Sequence, residues 1–206
     1  LPFSRKSEVI EYFFALNSGA ENFTASLWSI HGNKLSGLDT AAEKYESADD
    51  LTKIADKLLD AVIGIKEIEP QKILFGVPDW WLTDEDLKEE YLKLLRDLVK
   101  ELELTPMAYV ATSNALVHFL EKKEGILPTA VLAGFEDHHI TVTVVRAGKL
   151  DGTKVLERSD QAGVDIEKAL LTFTSVETLP SKILIYGEIP KLSKLKNDLT
   201  SFSWMS

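Results

Sequence analysis

Apolar residues along this chain change period repeatedly, from strand-like alternation to helical three-and-four spacing and back. Tyr12–Leu16 is a short aromatic and aliphatic run, and Asn17-Ser18-Gly19-Ala20 behind it is a turn signal. Phe23–Ile30 predicts a strand, His31-Gly32-Asn33-Lys34 a second tight turn, and the stretch near Leu35–Leu38 a third strand. Ser47, with Asp50 behind it, predicts the start of a capped helix whose apolar stripe is Leu51, Ile54, Ala55, Leu58 and Val62. Lys72–Val77 reads as a buried strand stopped by Pro78. Thr83 with Asp86 predicts the opening of the longest helix. Its Leu87, Tyr91, Leu94, Leu95, Leu98 and Leu102 hold helical spacing for about five turns. After Pro106, Met107–Thr112 predicts a strand, and Ser113 the cap of a short helix through Leu120.

Gly125-Ile126-Leu127-Pro128 is the candidate boundary, dividing a first domain, 10–125, from a second, 126–206. Beyond it the opening pattern restarts. A strand is expected at Thr129–Ala133, a turn at Gly134–His138, a strand at His139–Arg146, a turn at Ala147-Gly148 and a strand near Thr153–Arg158. A helix from about Gly163 carries Val164, Ala169, Leu170 and Phe173 inward; strand Lys182–Tyr186 ends in Gly187-Glu188, and a last helix presents Leu192, Leu195, Leu199 and Phe202.

The restart is close enough to align. With Thr24 placed on Thr141, ALNSGAENFTASLWSIHGNKLSG (15–37) runs parallel to VLAGFEDHHITVTVVRAGKLDG (131–152). Pro70-Gln71-Lys72-Ile73-Leu74 then recurs as Pro180-Ser181-Lys182-Ile183-Leu184. A three-strand meander, a helix and a strand, twice in one order, predict an α/β protein built of two duplicated ribonuclease-H-like domains, each a mixed sheet with flanking helices. The alternative is two unrelated α/β modules whose hairpins agree by chance.

Composition narrows the chemistry. The chain has 206 residues, 45% hydrophobic and 27% charged, enough for two small cores. A formal charge of −10 argues against a general nucleic-acid or anionic-membrane binder, and Lys191, Lys194 and Lys196 read as the solvated side of a helix. There is no cysteine, which excludes disulfides, thiol nucleophiles and Cys-ligated zinc. No apolar run approaches the roughly 20 residues of a membrane span. The start, LPFSRKSEVI, does not read as a signal peptide and has no Met, so a start trimmed from a longer chain and a cytoplasmic location are expected.

The stretches Ile73-Leu74-Phe75-Gly76-Val77-Pro78-Asp79-Trp80, Tyr109-Val110-Ala111-Thr112-Ser113-Asn114-Ala115-Leu116 and Ile183-Leu184-Ile185-Tyr186-Gly187 carry a resemblance. Over about residues 12–204 the chain resembles the actin-like ATPase superfamily, and within it the FtsA and PilM group of cell-division and type IV pilus assembly proteins. The resemblance implies two facing halves that hold ATP and magnesium, with phosphate gripped by the first-hairpin turn of each half and a Gly-rich turn packed on adenine. It also implies protein partners in a membrane-associated assembly, with the inner membrane reached only through such a partner.

A phosphate-gripping turn needs glycine or small residues so that backbone N–H groups approach the anion, and a carboxylate nearby for magnesium. The family's Asp-x-Gly turn is matched in the first half by Asn17-Ser18-Gly19-Ala20, which keeps the glycine and replaces the acid with an amide. In the second half it falls on Gly134-Phe135-Glu136, where Phe135 is bulky and Glu136-Asp137 would set negative charge against a triphosphate. The adenine-side pair reads Gly187-Glu188, and the glycine pair at the helix start after the second meander reads Ser159-Asp160. Asn17, Ser18, Gly19, Ala20, Gly134, Gly187 and Glu188 are therefore the residues of a degenerate ATP cleft, with hydrolysis absent or feeble, ATP and magnesium implied by resemblance alone, and no metal site expected. Read without the family, Asn17–Ala20 is a hairpin turn chosen for its backbone angles and Glu136-Asp137-His138-His139 an exposed turn.

Other chemistry leaves little. No Walker loop, Gly-x-Gly-x-x-Gly turn, His-Glu-x-x-His helix or Gly-x-Ser-x-Gly elbow is present, and the first strand lacks the carboxylate that a two-metal nuclease would place there. Asp84, Glu85 and Asp86 read as first-turn acids of a helix; His31 and His118 read as turn and helix-surface residues. Trp80-Trp81 is expected to divide, one ring packing under the long helix and the other offered to a partner, and the pair is the candidate interface. The leading expectation is a non-catalytic actin-like scaffold. Its alternatives are a working ATP-binding switch and a small-molecule kinase, for which Asp79 is the one well-placed carboxylate.

Overall fold

The computed structural model describes residues 10–19, 22–45, 50–64, 66–83, 86–136, 138–173, 178–187 and 189–204. In chain order the elements are β1 (Ile10–Ser18), β2 (Asn22–His31), β3 (Lys34–Lys44), α1 (Leu51–Ile63), β4 (Lys72–Val77), β5 (Leu82–Thr83), β6 (Asp86–Leu87), α2 (Glu89–Glu101), β7 (Thr105–Ala111), α3 (Thr112–Glu124), β8 (Ala130–Phe135), β9 (His139–Arg146), β10 (Lys149–Glu157), α4 (Ala162–Leu170), β11 (Ile183–Gly187) and α5 (Ile189–Ser201). They form two mixed sheets, ordered β3-β2-β1-β4-β7 and β10-β9-β8-β11, with β5 and β6 a small hairpin apart. Two compact units result, residues 1–77 with 81–110 and residues 78–80 with 111–206.

Each sheet holds an antiparallel meander with a parallel strand beside its first strand, β4 along β1 and β11 along β8, and the first sheet adds β7 beyond β4. Asn17 stands opposite Thr24 and Gly134 opposite Thr141, so the two hairpins share the phase expected from their sequences. Ile73 faces Phe14 and Ile183 faces Val131, which puts the recurrent Lys-Ile-Leu in equivalent places. Strand β7 has no fifth-strand counterpart among the described residues of the second sheet. At the β9–β10 turn Ala147 (φ 45°) and Gly148 (φ 76°) both take left-handed angles, the pair that a two-residue hairpin with native twist demands.

In the first unit Phe14, Leu16, Phe23, Ala25, Leu27, Ile73, Phe75 and Val77 line one sheet face and are buried. Helix α1 packs over β2 and β3 with α2 against it, presenting Leu51, Ala55, Leu58 and Val62. In the second unit Val131, Ala133, Phe135, Ile140, Val142 and Val144 meet Ala162, Ile166, Ala169, Leu195 and Leu199 of α4 and α5. The opposite face, with Ala130, Leu132 and Val145, meets Leu116, Val117 and Leu120 of α3.

Several boundaries differ from expectation. The third strand is longer, because the small and polar residues after Leu38 suit an exposed edge. Thr83 and Asp86 pair across the β5–β6 hairpin instead of opening a helix; Lys88, whose N–H donates to the Trp81 carbonyl (2.9 Å), precedes α2. Helix α2 has 13 residues, the same as α1, α3 and α5. Asp84, Glu85 and Ser47 lie outside the described residues, and Asp50 makes no side-chain cap bond. Helix α3 runs on to Glu124, with Ser113 inside its first turn and not at its cap. In α4 Ile166 and, as expected, Ala169 are fully buried, while Val164 and Leu170 are half-buried.

Candidate functional site

The first turn is closed on itself. Asn17 projects beside Gly76 of the parallel neighbour β4, and its carboxamide fills the space a Gly76 side chain would need. Its Nδ2 reaches the Thr24 hydroxyl at 3.5 Å, at the weak end of hydrogen bonding. Ser18 is buried and donates through Oγ to the Gly19 carbonyl (3.3 Å). The Gly19 N–H donates to the Asn22 carbonyl (2.8 Å), and the Gly19 carbonyl accepts the Tyr45 hydroxyl (2.7 Å). The Tyr45 ring in turn stacks on Phe23, centroids 4.3 Å apart. Both backbone groups of Gly19 are committed within the protein. Ala20 lies outside the described residues.

The second turn differs from its expected form. Phe135 is the last residue of β8, paired with Ile140, and its ring belongs to the core under α4 and α5. The turn itself begins at Glu136, whose N–H donates to the His139 carbonyl (3.0 Å). The strand runs two residues past Ala133, which turns Phe135 inward. Arg158 ties this turn down. Its N–H donates to the His138 carbonyl (2.8 Å), its guanidinium donates to the Glu136 carbonyl (2.6 Å), and its charge lies 5.6 Å from the Phe135 ring centre. Gly187 has φ 140°, and a side chain there would stand 2.6 Å from the Phe135 carbonyl oxygen. Glycine at 187 thus serves close backbone packing. Asp137 and Glu188 lie outside the described residues.

Three polar arrangements escaped the sequence reading. Asp79, just past β4, accepts the Ser113 N–H (3.3 Å) and the Ser113 hydroxyl, so a carboxylate from distant sequence caps α3. Asp165 is 2% exposed and accepts both the N–H (2.7 Å) and the hydroxyl (2.8 Å) of Ser159. The expected glycine pair is here replaced by a loop that a buried acid holds. Tyr186, half-buried on β11, lies across Gly134; burial first, then the Asp79 and Glu136 carboxylates, push its phenol well above the usual tyrosine range. The sequence signal for that contact was Gly134 itself, since a strand glycine marks a close neighbour.

The remaining candidates separate. Trp81 is buried and stacks on Tyr91 of α2, centroids 4.5 Å apart, while Trp80 is half-buried. His31 is exposed at the end of β2, and His118 is exposed on α3, 3.8 Å from Glu121. Among the described residues no group of three or more His, Asp or Glu side chains is arranged to hold a metal ion, and no helix is long and apolar enough to cross a membrane.

No protein-family model and no curated protein matches the chain. Solved structures do. A Bacteroides thetaiotaomicron protein of actin-like ATPase fold and unknown function superposes with a TM-score of 0.61 at 13% identity, over 93% of this chain and 88% of that one. The ethanolamine utilization protein EutJ from Carboxydothermus hydrogenoformans follows at 0.59 and 10% identity, over 92% and 81%. An exopolyphosphatase from Cytophaga hutchinsonii gives 0.54 at 8% identity, over 94% and 73%. Likeness at such identities establishes the fold: mixed α/β sheets of the actin-like ATPase kind.

Proposed function

We propose that this chain is a duplicated actin-fold module that works by binding other proteins and does not turn over nucleotide. The observation that carries the reading is the Gly19 turn, where the N–H a phosphate would need is spent on Asn22 and the carbonyl is held by Tyr45. A phosphate there would have to displace an existing hydrogen bond rather than fill a waiting one. The acid that would hold magnesium is replaced by Asn17, whose amide is packed on Gly76. In the second half Phe135 occupies the core at the end of β8, and Gly187 abuts its carbonyl, so that turn does not fit a triphosphate either. A small-molecule kinase would need Asp79 as base, and Ser113 already occupies both of its carboxylate oxygens.

By the sequence resemblance, the partners are membrane-associated assembly proteins of the cell-division or pilus type. Trp80 is half-buried and Trp81 buried, so of the two rings it is Trp80 that has surface to offer such an interface. Calorimetric titration with ATP and magnesium tests the reading: no saturable heat and no phosphate release are expected. Micromolar binding with turnover would overturn it in favour of an ATP switch.

A further inference from the structure

We propose that the outer edge of β7 pairs antiparallel with the β7 of a second copy of this chain, about a two-fold axis at Ala108. Among the described residues β7 ends the first sheet, with β4 on its inner side. The Thr105 N–H donates to the Gln71 carbonyl (2.8 Å), which turns the backbone groups of Thr105, Met107 and Tyr109 toward β4. Strand alternation then points those of Pro106, Ala108 and Val110 outward. Every residue from Thr105 to Val110 is exposed. A row of outward N–H and C=O groups matches one kind of occupant, an extended strand.

The other sheet edges are guarded. Strands β3 and β10 each carry two lysines and two acids, and β11 is half-buried from Ile183 to Tyr186. Charge and cover are how native sheets keep their edges single. Strand β7 has neither: it holds no charged residue, and Met107, Tyr109 and Val110 are 50%, 40% and 44% exposed. In a chain of net charge −10, a neutral strand is where a second copy meets least repulsion.

The strand also fits itself. With Ala108 opposite the partner's Ala108, each Ala108 N–H donates to the other's carbonyl, and each Val110 N–H donates to the carbonyl of the partner's Pro106. Pro106 has no N–H to give, so the ladder has about four bonds. Sliding the register one residue toward α3 would draw in buried Ala111. Sliding it the other way sets Pro106 opposite Ala108 and halves the bonds. On one face Met107 then stands opposite the partner's Tyr109, a sulfur–aromatic pair; on the other Pro106 stands opposite Val110, with small Ala108 at the axis. Size sets the strength. The paired strip is roughly 17 Å long and 10 Å deep, far below the about 800 Å² that each partner of a standard interface buries. The dimer is therefore weak, with a Kd on the order of 0.1–1 mM.

This pairing uses neither the Gly19 nor the Gly134 turn, so ATP turnover would end the interaction-module reading and leave it standing. Sedimentation of the full chain up to about 1 mM should show a monomer–dimer equilibrium that added salt strengthens by screening like charges. Ala108→Pro removes an outward N–H that the sheet itself does not use; it should fold normally and weaken the dimer by about tenfold or more. The chain has no cysteine, so Ala108→Cys supplies one thiol per copy. Hydrogen-bonded antiparallel partners have Cα atoms about 5.5 Å apart, within disulfide range. Oxidation with diamide should therefore link Ala108→Cys into a covalent dimer far faster than Val110→Cys, whose Cα atoms would lie roughly 14 Å apart. A chain that stays monomeric at about 1 mM overturns the inference. So does a dimer that Ala108→Pro leaves intact, or faster linking through Val110→Cys.

Discussion

Strand β8 has six residues and all are buried, because α4 and α5 lie on one side of its sheet and α3 on the other. Strand β1 holds the same place in the first sheet, yet its residues alternate: Phe14, Leu16 and Ser18 are buried, Phe13, Ala15 and Asn17 half-buried. The same topology thus yields a two-sided core in one half and a one-sided core in the other. The sequences record the difference, since AVLAGF is apolar throughout while FFALNS turns polar toward its end. A strand covered on both faces reads as a continuous apolar run, and one covered on a single face as an alternation. The lesson is that strand order does not fix what a sheet presents to its surroundings; the helices that pack on it do.

Three perturbations probe that contrast. The largest effect is expected at Leu132, 2% exposed at the centre of the doubly covered sheet: Leu132→Ala should cost about 3 kcal/mol in urea unfolding. A loss below about 1 kcal/mol would mean that α3 is not a firm cover. The sharpest test uses identical residues at equivalent places. Leu184→Ala, under α3, should cost about 2 kcal/mol, and Leu74→Ala, on the open face, less than about 1 kcal/mol. Equal losses would break the comparison.

The smallest effect concerns pH. The fold holds the Tyr186 phenol neutral, through burial first and then the Asp79 and Glu136 carboxylates, so its folded pKa lies above its unfolded one. The unfolded chain releases that proton from about pH 10, so the contribution is complete below that value and declines as pH rises. Urea midpoints from pH 8 to 11 should therefore fall less steeply for Tyr186→Phe than for the parent. Equal slopes would place the phenol in solvent.

Much of the architecture was legible because it is written in local period. Thr24 and Thr141, or Ile73 and Ile183, could be aligned by eye and lie at equivalent registers. Phe135 was misplaced by a strand end two residues out, and in a period-2 element such boundaries decide which residues face the core. Thr83 and Asp86 carry a good capping signature, but the chain uses them in a hairpin that the Trp81 carbonyl helps to close. Asp79 was invisible as a cap for a different reason. Its partner Ser113 is fixed by tertiary structure, and spacing along the chain does not report it. Ser113 was expected to be the cap of α3 and is instead the donor to a cap that Asp79 supplies.

The contact between Asp79 and Ser113 spans 34 residues, and it bears on how such a protein can be taken apart or recombined. Residues 78–80 count with the second unit although the chain then returns to the first for residues 81–110. A single cut anywhere between the halves strands the aspartate on the wrong fragment. An exchange of second halves between relatives would carry α3 without its acid, unless the incoming piece found a carboxylate in the same place. The halves look like two cassettes, yet neither is continuous in sequence, so a clean exchange of the second must carry residues 78–80 as well as those from 111 onward.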